Sequence, residues 1–115
     1  YSYCDRFADI ANTTVGRFSN IAAMTRIGPT DHPFTHAAQH HFLYRSSYYW
    51  DDASDDPDFF SARAARRTTL GADCWIGHGA IIKPDCGVTP ELAGIDSRVG
   101  SKTILETGDL RVAYS

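Results

Sequence analysis

Aliphatic residues recur every six positions in two stretches of this chain, and that period constrains the fold more than any other feature. Between Val15 and Pro33 they fall at Val15, Ile21 and Ile27, with Gly16, Ala22 and Gly28 directly behind them. Between Leu70 and Asp85 they fall at Leu70, Ile76 and Ile82, and the beat runs on to Val88. Gly71 and Gly77 follow the first two of these. Four residues after most of the aliphatic positions stands a small or modest side chain: Ser19, Thr25, Cys74, Ala80 and Cys86. A helix repeats about every 3.6 residues and a strand about every two, so neither accounts for a strict six. A fixed hexapeptide period is the mark of a β-helix, in which each repeat builds a short strand and a corner. A glycine behind the inward aliphatic leaves room where the backbone turns.

The beat is interrupted. Ile27 and Leu70 lie 43 residues apart, which is not a multiple of six, so an insertion leaves the winding near Pro33 and returns near Arg67. At the start, Cys4 and Ile10 are six apart but one step out of phase with Val15, and they are better inward residues than Asp9. The organisation expected is one domain, with coils over about 3–32 and 68–93, a loop over 33–67 and a divergent tail over 94–115. In that tail Val88 is followed at the six-residue positions by Gly94 and Gly100, while Val99 and Leu105 are six apart in a shifted phase. It reads as a degenerate final coil, a strand capping the open end, or a segment exchanged with a neighbour, since an uncovered strand edge invites aggregation.

Within the insertion, Phe34, Ala37, Ala38, His41, Phe42 and Arg45 follow helical spacing. Thr30 or Asp31 can cap its start and Pro33 suits the first turn, which predicts a short helix there. The acidic run DDASDDPD, Asp51 to Asp58, reads as a solvated loop. Phe59, Phe60, Arg63, Arg66 and Arg67 then lead back to the winding. Loops this long in a compact repeat protein are usually functional.

Composition supplies exclusions. With 43 % hydrophobic and 22 % charged residues the chain has an ordinary globular balance. A net charge of −3 gives no reason to expect nucleic acid or an anionic membrane as partner. No apolar run approaches the length of a membrane span, and no secretory signal is present. The chain begins at Tyr1 and its only methionine is Met24, which points to a processed or trimmed start. Three cysteines argue against a disulfide framework, and Cys74 and Cys86 occupy repeat positions as small core residues of a reducing, cytoplasmic compartment.

Four motifs carry a resemblance: VGRFSNIA at Val15 to Ala22, the turn Thr30-Asp31-His32-Pro33, AAQHHFLYR at Ala37 to Arg45, and DCWIGHGAIIKP at Asp73 to Pro84. The chain resembles the hexapeptide-repeat acyltransferases. Within them it looks most like the xenobiotic (chloramphenicol and streptogramin type) acetyltransferases and their relatives associated with phosphonate-metabolism operons. The resemblance implies an all-β fold, a left-handed parallel β-helix with a partly helical excursion loop and an irregular C-terminal tail. The general preference for right-handed crossovers would predict the opposite hand.

The same resemblance implies acetyl transfer from acetyl-CoA, as co-substrate, to a hydroxyl or amine of a small-molecule acceptor. His32 matches the family's general base, and a free imidazole titrating near about 6.5 can accept a proton at neutral pH. Trp75, with Gly77 and His78 beside it, matches the acyl-donor groove, while His41, Phe42 and Tyr44 would shape the acceptor pocket. A homotrimer with sites between subunits is implied as well.

Each residue has a plainer reading. A histidine beside proline is commonly a polar turn residue, and a tryptophan on a strand commonly packs. His36 and His40 suit a solvated face, and Gly71, Gly77 and Gly79 are corner residues that form no phosphate-binding loop. Two other functions stay open. One is a truncated, non-catalytic β-helix scaffold or binding protein. The other is a zinc-dependent gamma-type carbonic anhydrase using His36, His41 and His78, although no strong metal-ligand spacing is present.

Overall fold

The computed structural model describes residues 1–88, 98–99 and 104–105, and the chain divides into two compact units, Tyr1–Pro29 with Arg66–Ser115, and Thr30–Ala65. The first unit is built of short strands. Before the second unit come β1 (Tyr3–Cys4), β2 (Asp9–Ile10), β3 (Thr13–Val15), β4 (Asn20–Ile21) and β5 (Arg26–Ile27). After it come β6 (Thr68–Leu70), β7 (Trp75–Ile76), β8 (Ile81–Ile82), β9 (Gly87–Val88), β10 (Arg98–Val99) and β11 (Ile104–Leu105).

These strands form three sheets, ordered β1-β4-β7-β10, β11-β8-β5-β2 and β3-β6-β9. Every pairing is parallel. In chain order the strands visit the three sheets in strict rotation, so each circuit lays one strand on every sheet. Leu70 pairs with Val88, eighteen residues on, which is three hexapeptides. Cys4 pairs with Ile21 and Ile10 with Ile27, seventeen residues on, so the first circuit is one residue short and its phase slips. Ile76 pairs with Val99 and Ile82 with Leu105, twenty-three residues on. The expected irregular tail therefore returns two strands to the sheets, five residues out of step; the rest of 94–115 lies outside the described residues.

The core follows the beat. Ile21, Ile27, Leu70, Ile76, Ile82 and Val88 are buried, as are Ser19, Thr25, Cys74, Ala80 and Cys86 at the intervening positions. Val15 and Ile10 share these registers yet are each 37 % exposed, on β3 and β2 at the N-terminal edges of their sheets. No disulfide joins the cysteines; Cys74 and Cys86 lie in the core and Cys4 at the surface.

The corners refine the expected role of glycine. Left-handed backbone occurs three residues after the inward position, at Phe7, Phe18, Met24, Asp73, Gly79 and Asp85. All but one of these carry a Cβ, at a cost on the order of 1–2 kcal/mol each. Gly16, directly behind Val15, serves another purpose: a Cβ there would lie 2.4 Å from the Gly71 carbonyl carbon. The glycine is needed for close approach of successive circuits.

In the second unit the helix expected over Phe34–Arg45 does not form. That stretch holds only a 3-10 turn at His41–Leu43, followed by another at Ser46–Tyr48. The helix is α1 (Pro57–Ala65), which begins inside the acidic run read as a loop. Asp56 Oδ1 accepts from the backbone N–H groups of Asp58 and Phe59, both at 3.0 Å, and so caps the first turn. Pro57 needs no donor there, Asp58 faces the positive end of the helix dipole, and Arg63 falls in the last turn. Asp55 is also structural: its Oδ1 accepts from the Ser47 hydroxyl at 2.7 Å and the Ser47 N–H at 3.1 Å. The Ser47 hydroxyl above all, helped by its N–H and the charge of Arg45, holds the Asp55 carboxyl below its ordinary range against an opposing desolvation. Among the described residues no helix is long and apolar enough to cross a membrane.

Candidate active site

The second unit is organised around Tyr44, which is 3 % exposed. Its ring stacks on Phe59 at 4.0 Å between centroids and meets Phe60 edge-on at 6.0 Å. Capping of α1 fixes Phe59 and Phe60, and Arg63, one turn on, lays its guanidinium over Phe59 at 4.7 Å and Tyr44 at 5.4 Å. Arg45 lies over Phe60 at 4.6 Å and Tyr48 at 5.2 Å. Cations above ring faces gain from the aromatic quadrupole, so two arginines help hold this small aromatic cluster together.

A cavity of about 320 Å³ opens beside the cluster. Thr30, Asp31 and His32 line it from the start of the unit, His41, Tyr44 and Arg45 from its middle, and Arg63 from α1. The Tyr44 hydroxyl and His32 Nδ1 are 3.2 Å apart, a hydrogen bond that orients the imidazole. Arg63 Nη2 donates to the Asp31 carbonyl at 3.2 Å, tying α1 to the residue before His32. His32 itself is exposed, so its ring can meet a ligand from solvent.

His41 shares the cavity wall, and its Nε2 is hydrogen-bonded to the Tyr49 hydroxyl. Phe42 is elsewhere: its ring packs edge-on against Trp50 at 6.2 Å and near His40 at 5.3 Å. His36 does not pair with His40; its ring lies against Phe59, and its buried Nδ1 has no hydrogen-bond partner among the described residues.

The remaining predicted residues belong to the first unit. Trp75 on β7 is 49 % exposed, while its neighbour Ile76 is buried, so the indole projects outward, between Asn20 and Arg98 in register. Gly77 is buried and its carbonyl accepts from the Ala80 N–H at 3.2 Å, so it shapes a turn. His78 is exposed beside the left-handed corner at Gly79.

No family model, curated protein or solved structure matches this chain. Among the described residues no group of three His, Cys, Asp or Glu side chains is arranged to hold a metal ion. The gamma-type zinc reading finds no ligand set there. What the cavity does offer is an oriented imidazole, a buried phenol and two guanidiniums, groups that can accept a proton and bind negative charge.

Arg45 and Arg63 were not among the residues expected in the site. Arg63 carries a legible signal, since it falls four residues after Phe59 and three after Phe60, on one face of a helix opened by Asp-Pro. Arg45 carries none, because its place on the wall depends on a 3-10 turn that no local spacing announces.

Proposed function

We propose that this chain is an acyl-CoA-dependent acyltransferase of the hexapeptide-repeat kind, moving an acetyl group to a hydroxyl or amine of a small molecule. The observation that carries the reading is the His32–Tyr44 pair, 3.2 Å apart on the wall of a cavity of about 320 Å³. A cavity of roughly 300–1,000 Å³ is the usual size for a small-molecule site.

The pair has the chemistry that direct acyl transfer needs. In the tautomer where His32 Nδ1–H donates to the Tyr44 oxygen, Nε2 keeps its lone pair. Nε2 then takes the proton of the acceptor as that nucleophile attacks the thioester carbonyl. As the carbon–sulfur bond breaks, the same proton passes to the departing thiolate, and His32 returns neutral. Tyr44 is held by Phe59 and Arg63, so the hydrogen bond sits on a packed support. Acetyl-CoA supplies the activated acyl group. Trp75 suits a donor-binding role because its indole is half exposed on a sheet face.

The three-sheet rotation of parallel strands supports a parallel β-helix as the finer description of the fold, and its left hand rests on the resemblance alone. Small domains gain stability by assembling, and the resemblance makes that assembly a threefold homotrimer. Light scattering at micromolar concentration should give three times the chain mass, and a monomer would contradict it. The activity is tested by incubating the protein with acetyl-CoA and a panel of small amines and alcohols while following thiol release. Acceptor-dependent release is expected. Release no faster than without protein, across the whole panel, would leave a non-catalytic scaffold as the better account.

A further inference from the structure

Two arginines on the wall of one small cavity are more than its packing requires. Arg45 and Arg63 each rest one face on aromatic rings, which fixes the plane of the guanidinium and turns its N–H edge outward for in-plane bonding. Among the described residues no carboxylate lies within salt-bridge distance of Arg45 or Arg63, although the charge of Arg45 acts on Asp55. Arg45 spends one donor on the Tyr48 hydroxyl at 3.3 Å and Arg63 one on the Asp31 carbonyl. A guanidinium has five N–H donors, so most remain. Asp31 also lines the cavity and offsets part of this positive charge. His41, Tyr44 and Thr30 add further donors or acceptors.

We propose that this cavity is an oxyanion site, and that the acceptor it holds for His32 carries a carboxylate or a phosphate-type group alongside its nucleophile. Planar, pre-oriented guanidinium forks match both groups, which share the chemistry of paired oxygens bearing negative charge. A neutral acceptor would leave most of the guanidinium donors on the wall without a charged partner, so the wall favours an anionic group. This inference deepens the acyltransferase reading by naming the acceptor's class, but the site itself is tested without any acyl transfer.

The experiment is calorimetric binding at low salt, with no acyl-CoA present, of three primary amines: ethanolamine, β-alanine and O-phosphoethanolamine. The expected result is binding of one or both acids at least about tenfold tighter than ethanolamine; which acid binds separates carboxylate from phosphate recognition. Arg63→Gln and Arg45→Gln should each weaken the preferred acid on the order of 10- to 100-fold, as expected for a lost bond to a charged group, while ethanolamine, a cation without the acidic group, should bind no more weakly. Lys at either position should restore part of that affinity by returning the charge without the fork. If a variant melts early because the stack is lost, the wild-type comparison stands alone: equal affinity for all three amines, or binding of none, overturns the proposal. Displacement of the bound acid by coenzyme A would overturn it too, by giving the site to the donor's phosphates. Acid binding intact with no acetyl transfer to any amine or alcohol would instead refute the acyltransferase reading and leave the oxyanion site standing.

Discussion

Gly16→Ala is a change of one methyl group, and its cost can be worked from the contact between successive circuits. The new Cβ would lie 2.4 Å from both the carbonyl carbon and oxygen of Gly71 and 2.6 Å from the Ala72 nitrogen, against an ordinary contact of 3.4–4 Å. All three neighbours are backbone, so no rotamer relieves the clash, and the circuits must part by about 1 Å. Three hydrogen bonds cross that seam: Gly16 N–H to the Leu70 carbonyl at 2.7 Å, Asp73 N–H to the Arg17 carbonyl at 2.9 Å, and the Ser19 hydroxyl to the Gly71 carbonyl at 3.0 Å. Each contributes about 1 kcal/mol net, and overpacking alone costs roughly 1–3 kcal/mol. Parting the circuits relieves one loss at the expense of the other, so the two do not simply add, and the expected destabilisation is about 3 kcal/mol. That is a large share of the roughly 5–15 kcal/mol typical of a domain, and corresponds to a melting point lower by roughly 10–15 °C. Denaturant titration of both proteins measures it directly. A loss under about 1 kcal/mol would refute the close-approach argument, because it would mean the circuits part without disturbing their ladder.

Asp56→Ala removes the carboxylate that caps α1 and should cost about 1 kcal/mol in a thermal melt, while reducing binding in the cavity that α1 frames. Asp55 should titrate, by NMR, below the 3.8 of an ordinary aspartate because Ser47 bonds to its charged form. Its contribution to stability is then fully present above that ordinary value and is lost as pH falls through the lowered one, and Asp55→Asn should flatten this acid limb.

Much of the first unit was legible because a repeat states its core position many times over. The aliphatic residues at Ile21, Ile27, Leu70, Ile76, Ile82 and Val88 are all buried, and so are the small residues Ser19, Thr25, Cys74, Ala80 and Cys86. What the beat does not contain is the end of the stack. Ile10 and Val15 keep the inward register yet stay half-exposed, since burial depends on a neighbouring circuit and no residue's own sequence reports one. In the tail, five extra residues between paired positions hide the beat from any search at a fixed six, although Val99 and Leu105 kept their own spacing. The insertion is less legible. Apolar spacing over Phe34–Arg45 imitates a helix, but Tyr44 and Phe42 are taken up by separate aromatic contacts with Phe59 and Trp50, on rings brought from later in the chain. Meanwhile Asp56-Pro57, a capping signal, was masked by the acidic run around it. His32 and Tyr44 reach one cavity only through this tertiary arrangement, and their pairing could not be read from spacing alone.

The central claim is that His32 moves the acceptor's proton. The most direct measurement is the turnover of His32→Ala against the unaltered protein, at saturating acetyl-CoA and acceptor, with circular dichroism and melting followed in parallel. His32 is exposed and among the described residues bonds to Tyr44 alone, so the variant should keep its fold and its melting point nearly unchanged. Turnover should fall by a factor on the order of 10²–10⁴, the usual contribution of a positioned general base. Unchanged turnover in a folded variant would remove His32 from the mechanism and contradict the account.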